Sequence, residues 1–284
     1  MSFQENTVKI IATVGPAINS PEMIKKSVDA GVDVFRLNFS HGTHDEKRNT
    51  VKLIRKVSPN VGILADIQGP KIRVDKFKDD KSYFLKVGQE IEVYENEIEG
   101  DDTKFSISLP GFVESQRKGN AFFVNDGIIK LKVKKKKKDH LVCEVITSGQ
   151  ISSKKGVNIP MGTLKFKVPT EKDIKDIELI AELDPEYLAI SFVESSREVL
   201  EVKKLLESYG NETIKLISKI ERPRALKNLD KIIEVSDGIL VARGDLAVEI
   251  ERERVPLEQK RMVKMALKES KITIIATQML ESMI

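Results

Sequence analysis

Residues 214–223 read IKLISKIERP, and the fold follows from how that stretch divides. Ile214–Ser218 is mostly apolar, as expected of a parallel strand buried on both faces. The run then gives way to Lys219 and Glu221. Side chains on a strand repeat every two residues, so this cation and this carboxylate point to the same side. Charged groups aimed together from the C-terminal tip of a buried parallel strand mark the place where α/β barrels keep their chemistry. Taken alone, the pair is equally a surface ion pair capping a strand, and the rest of the chain has to decide.

The chain has 284 residues with 40% hydrophobic content, enough for a large core and more than one domain. Its 48 basic and 44 acidic residues leave a formal charge of +4, too mild to indicate a nucleic-acid partner. A single cysteine, Cys143 in the alternating run LVCEVI, rules out an internal disulfide framework and suits a reducing compartment. Met1–Val8 lacks the form of a signal peptide, and no apolar run approaches membrane-spanning length. The expectation is a soluble cytoplasmic protein without membrane or nucleic-acid partners.

Going outward from the central stretch, strand-like runs recur with helical patterns between them. Val8–Val14, Val34–Asn38 and Val61–Asp66 read as strands, separated by a helix that starts at Ser20-Pro21 and stops at Gly31, and another over Asp45–Val57. From about Val74 to Lys167 the pattern changes to short alternating segments such as FLKVGQEIEVYE, KFSISL, AFFVNDGIIKLKV and HLVCEVI, broken by Gly, Pro, Asn and Asp. This is an inserted β domain, and its run Lys134–Lys138 before Asp139-His140 reads as a solvated hairpin tip rather than a polyanion site. The α/β alternation resumes at Pro169. A capping pattern at Thr170 and Asp173 leads into a helix over Ile174–Leu183, followed by strand Tyr187–Phe192 and a helix from about Ser196 to Ser208. After the Ile214 strand come a helix carrying Leu226, Leu229, Ile232 and Ile233, strand Gly238–Val241, a helix from Pro256 with Met262, Met265 and Ala266, and strand Ile272–Ala276.

These make about seven βα steps. The fold class is therefore α/β, a TIM-type (β/α)8 barrel one unit short, with an inserted β-rich domain, a small barrel or a sandwich. The domain reading is 1–73 for the first part of the barrel, 74–167 for the inserted domain and 168–284 for the second part. Polar residues after nearly every strand favour a closed barrel over a doubly wound sheet.

Collected at the strand ends are Arg36, Asn38, Ser40, Asp66, Arg73, Lys219, Glu221, Asp245 and Thr277. Glu221 and Asp245 suit a hard cation such as Mg²⁺, which takes one or two carboxylates plus substrate oxygens. Arg36, Arg73 and Lys219 would balance phosphate charge. Gly244-Asp245 opens a short helix in this reading, with free N–H groups for a substrate carboxylate. Together these suggest phosphoryl transfer or enolate stabilisation. No Walker glycine loop, zinc spacing or GxSxG elbow is present, and His41, His44 and His140 read as structural or exposed.

The segments IIATVGPA (Ile10–Ala17), FRLNFSHG (Phe35–Gly42), ADIQGPKIR (Ala65–Arg73), SKKGVNIP (Ser153–Pro160), ISKIE (Ile217–Glu221), ARGDLAVEI (Ala242–Ile250) and ATQMLESM (Ala276–Met283) give the chain an end-to-end resemblance to pyruvate kinase. The resemblance implies transfer of the phosphoryl group of phosphoenolpyruvate to ADP, giving pyruvate and ATP in the last step of glycolysis. Lys219 would then stabilise the transferring group and the enolate, and Arg36 would contact the phosphoryl group. Glu221 and Asp245 would hold Mg²⁺ or Mn²⁺, with the backbone of Ala242, Arg243, Gly244 and Asp245 near the substrate carboxylate. Thr277 matches the threonine associated with enolate protonation. Arg73, Lys172 and Asn38 fall on the nucleotide side; the resemblance makes the inserted domain a small β-barrel lid, whose Asp126 would close over the site. Asn38, Ser40, Asp66 and Ile67 match K⁺-ligand positions. Members that need K⁺ carry Glu where this chain has Lys71, so the fixed ammonium implies independence from K⁺.

On the same resemblance the chain stops after the seventh strand, before the eighth unit and the C-terminal regulatory domain. The tetramer expected of the full-length family is then in doubt. An oxo-acid barrel lyase using the same carboxylates, or an inactive fragment with a binding role for the lysine run, are the competing readings. The β insertion and the arginine-bearing loops disfavour the lyase.

Overall fold

The computed structural model describes residues 8–125, 127–159, 166–277 and 279. The lid residue Asp126, the strand-tip residue Gln278 and most of ATQMLESM lie outside them.

Seven parallel strands form one sheet in strict chain order: β1 (Ile11–Thr13), β2 (Val34–Asn38), β3 (Gly62–Asp66), β4 (Tyr187–Ile190), β5 (Lys215–Ile220), β6 (Gly238–Ala242) and β7 (Ile272–Ala276). Each strand pairs only with its sequence neighbours in this series, the arrangement that successive right-handed βα units produce. The helices α1 (Pro21–Asp29), α2 (His44–Val57), α3 (Glu171–Leu183), α4 (Ser196–Ser208), α5 (Pro223–Lys227), α6 (Leu229–Val235), α7 (Arg243–Glu249) and α8 (Val255–Lys268) fall between them.

The local signals act as expected. Ser20 Oγ accepts from the Met23 N–H with Pro21 in the first helical turn, and Thr43/Glu46 and Thr170/Asp173 form full capping boxes. Some boundaries differ from the sequence reading. β1 is shorter than Val8–Val14, and β5 extends through Lys219 to Ile220, so the lysine is a strand residue. The pattern Leu226, Leu229, Ile232, Ile233 is two helices rather than one, because Asn228 departs from helical geometry and its side chain donates to Glu194 O instead.

Strand alternation divides the apolar residues into two layers. Ile63, Leu188, Leu216, Ile220, Ile239 and Val241 face the helices in the main core. The opposite faces meet inside the sheet as a small cluster of Leu64, Ala189, Ile217, Leu240 and Ala242, with Ile11, Val34 and Ile274 packed against it. Two residues toward the C-terminus from Ile11, Val34, Leu64, Ala189 and Ile217 lie Thr13, Arg36, Asp66, Ser191 and Lys219. The barrel interior is thus floored with hydrocarbon and roofed with polar groups.

The segment between β3 and α3 carries its own sheet of six strands and its own core, centred on Phe105, Phe112, Phe122, Leu131, Leu141 and Cys143. Burial pushes the Cys143 thiol up to about 12, so it packs as a hydrophobe. The lysine run lies on the hairpin of Ile129–Lys136 with His140–Thr147. Lys134 pairs with Glu90, and Lys136 donates to the Glu114 carbonyl.

Gly238 opens β6 against Ile272 of β7 and Ile217 of β5. A Cβ there would fall 2.7 Å from both Ile272 Cβ and Ile272 O, and 2.9 Å from Ile217 Cδ1. Gly238→Ala is expected to lower unfolding stability by about 1–3 kcal/mol in urea titrations, the cost of overpacking against backbone. A change within about 0.5 kcal/mol would show that the β6–β7 contact is looser than described.

Candidate active site

Asp66 stands at the centre of the polar roof, with its side chain 3% exposed. Its Oδ2 accepts from Arg36 Nε at 2.7 Å and Nη2 at 2.6 Å, a two-pronged pair that fixes the guanidinium plane. Its Oδ1 lies 3.3 Å from Lys219 Nζ. Arg36 also donates to Thr13 Oγ1, so β1, β2, β3 and β5 are joined through one carboxylate.

Lys219 Nζ also lies 2.9 Å from Glu221 Oε1 and donates to Ser191 Oγ at 2.7 Å. Ser191 in turn donates to the Ile67 carbonyl at 2.6 Å. Glu221, 2% exposed, accepts the Phe192 N–H at its other oxygen. Burial alone would lower the lysine's pKa, but the charges of Glu221 and Asp66, with a further contribution from Asp245, outweigh it and hold the value above that of an ordinary lysine. Lys219 is therefore a permanent cation, suited to developing negative charge and unsuited to acting as a base at neutral pH.

A second group gathers at the tips of β6 and β7. Arg243 Nε and Nη2 both donate to the Thr277 carbonyl, and the Gly244 N–H donates to Thr277 Oγ1 at 2.7 Å. Thr277 has φ of +65°, an unusual conformation for a β-branched residue, which the two donors help maintain. The expectation of a free N–H at Gly244 is corrected here: α7 does begin at Arg243, but the threonine hydroxyl occupies that donor.

The remaining candidates are placed elsewhere. Lys172 Nζ donates to the Phe39 carbonyl and to Asp176, which also bonds His44, so this cluster anchors the loop after β2. Asn38 Oδ1 accepts the Ser40 N–H in the same loop. Arg73 donates to the Lys154 carbonyl at the root of the insert. Lys71 lines a small cavity with Asn158, Phe192, Arg222 and Asp245. Thr13, Ser191 and Arg222 were not singled out from sequence as site residues. Period-two spacing above Ile11 and Ala189 would have found the first two.

Glu221 and Asp245 fit a divalent cation. Each Glu221 oxygen has one hydrogen-bond or ion-pair partner among the described residues and keeps a lone pair, and Asp245 lies near enough to add to the negative charge around Lys219. Among the described residues no group of three or more His, Cys, Asp or Glu side chains could hold a metal.

A model of the pyruvate kinase barrel domain matches residues 5–284. The chain belongs to the pyruvate kinase family. It is 41% identical over 281 residues to a protein named pyruvate kinase from Clostridium perfringens, a match that covers 97% of this chain and 59% of the relative. Proteins of the same name from Staphylococcus haemolyticus and Staphylococcus aureus are 40% and 41% identical, with 97% of this chain and 48% of each relative covered. The chain thus spans about half the length of the curated relatives it matches. Among the described residues no helix is long and apolar enough to cross a membrane.

Ser191→Ala removes the hydroxyl that links Lys219 to the Ile67 carbonyl. Unfolding stability is expected to fall by about 1–3 kcal/mol in urea, the cost of leaving buried polar partners unsatisfied. No change would show that Ser191 is incidental to the lysine's position.

Proposed function

We propose that this chain carries the catalytic part of a pyruvate kinase, moving the phosphoryl group of phosphoenolpyruvate to ADP. The observation that supports it most is the fixed Lys219 ammonium between Glu221 and Asp66, with the Arg36 fork on the far side of Asp66. Arg36 and Lys219 would draw the phosphoryl oxygens and hold the group in line between donor and acceptor. Lys219 would then balance the enolate charge left on the three-carbon product. The main chain of Ala242–Asp245 would sit by the substrate carboxylate, and the Thr277 hydroxyl would lie on the path of the proton that converts enolate to pyruvate. Mg²⁺ or Mn²⁺ held by Glu221 and Asp245 would supply Lewis-acid charge neutralisation of the transferring oxygens.

Arg73 is proposed for the nucleotide side. Lys172 would reach a nucleotide only with the donor capacity left after Phe39 O and Asp176 are bonded. Independence from K⁺ is proposed on Lys71, and the matching carboxylate fits it, since both oxygens of Asp66 already face cations, Oδ1 Lys219 and Oδ2 Arg36. A soluble cytoplasmic setting and an oligomeric full-length assembly belong to the same proposal.

A thermal melt with Mg²⁺ plus oxalate, an enolate mimic, in K⁺-free buffer tests this reading. A ligand that binds only the folded state raises the melting temperature. The shift is expected in the wild-type chain and lost in Lys219→Met and Glu221→Gln; turnover of phosphoenolpyruvate should require ADP. A cooperative melt without an oxalate shift would contradict the assignment, and ADP-independent consumption would favour a lyase.

A further inference from the structure

Glu221 and the residue that follows it grip the same neighbouring loop, the one that leads from β4 through Ser191, Phe192 and Glu194 into α4. Glu221 Oε2 accepts the Phe192 N–H at 2.9 Å. Arg222 reaches back to the same residue, with its guanidinium over the Phe192 ring at 5.0 Å and over the Phe166 ring at 4.9 Å. Its Nη1 pairs with Glu194 Oε1 at 3.0 Å.

Phe192 has φ of +58°, a conformation that is costly for a residue with a Cβ. Such strain persists only where the surroundings over-determine it. Here the neighbours do so. On one side Ser191 is tied to Lys219 and to the Ile67 carbonyl, and on the other Glu194 is tied to Arg222 and to the Asn228 side chain. Gly69 leaves the ring its space, since a Cβ there would fall 2.7 Å from Phe192 Cδ2. With the chain anchored on both sides, relaxing the Phe192 torsion would rotate the Ser191–Phe192 peptide plane and carry its N–H off Glu221. Stability alone does not account for the arginine, because its Nε is buried without a hydrogen-bond partner among the described residues.

We propose that Arg222 is a positioning residue for Glu221. By holding the Phe192 ring and Glu194, it keeps the Phe192 N–H on one oxygen of the Glu221 carboxylate while Lys219 holds the other, so the remaining lone pairs face one fixed direction. The use of that direction, a divalent cation shared with Asp245, rests on the metal-assisted phosphoryl-transfer reading. The orientation itself rests on contacts within the chain. Removing a group that orients a metal-ligating side chain typically weakens metal binding by about ten- to a hundredfold.

Two measurements on the full chain test this. Amide hydrogen exchange resolved at Phe192 by NMR, without metal or substrate, reads the N–H. Titration with Mn²⁺, followed by the electron paramagnetic resonance signal of the free ion, reads the carboxylate. In Arg222→Met, protection of the Phe192 amide is expected to fall about tenfold while the amides of β4 and β5 keep theirs. Mn²⁺ should bind about tenfold more weakly in the same variant. Arg222→Lys, which retains a cation for the ring, should lie between it and the wild type in both readouts. Wild-type protection of Phe192 or wild-type Mn²⁺ affinity in Arg222→Met would overturn the proposal. So would an equal loss of protection across β4 and β5, which would make Arg222 a support of the barrel at large. If Arg222→Met fails to fold, Phe192→Leu decides: an amide at position 192 as protected as in the wild type overturns it. Failure of the metal reading would show instead as a wild-type chain that binds no Mn²⁺, and the exchange comparison would still decide the positioning role.

Discussion

A lysine side chain among hydrocarbon is costly unless carboxylates meet it, and buried carboxylates are costly unless cations meet them. Lys219, Asp66, Glu221 and Arg36 satisfy both conditions at once, because β2, β3 and β5 bring them together at the C-terminal end of the sheet. Removing one member of such a group strands the charge of another, at about 3–5 kcal/mol for a fully buried pair. The network is thus also a register lock. A one-residue slip of β5 would turn Lys219 outward into the helix-facing core.

The surrounding architecture makes that register available. The apolar layer of Leu64, Ala189, Ile217 and Leu240 fills the sheet interior below the charges. Above it, at the C-terminal end, stand the polar residues Arg36, Asp66, Ser191 and Lys219. The insert also reaches this end, where the turn at Gly127 lies against Val248 of α7. α7 thus carries Asp245 in its first turn and the contact with the insert near its last residue.

Much of this was legible in the residues. Period-two spacing placed Lys219 and Glu221 on one face, capping signals at Ser20 and Thr170 set helix starts, and the motif segments pointed to the family. Less legible was what depends on contacts between distant segments. Asp66 looked like a cation ligand and proves to be the bridge between Arg36 and Lys219, since nothing local to it shows which strands will flank β3. The hydroxyl of Thr277 meets the Gly244 N–H only because β6 and β7 pair in parallel. The contact of Gly127 with Val248 carries no sequence signal at all, because the two lie some 120 residues apart.

The account stands or falls on whether Asp66 and Lys219 act as one unit. A double-mutant cycle in urea unfolding, using Asp66→Asn, Lys219→Met and the double variant, measures this directly. Contacting buried charges should couple by about 1–3 kcal/mol, with the double variant less destabilised than the sum of the singles. Additivity within about 0.5 kcal/mol would contradict the claim that this buried pair organises the barrel and its site.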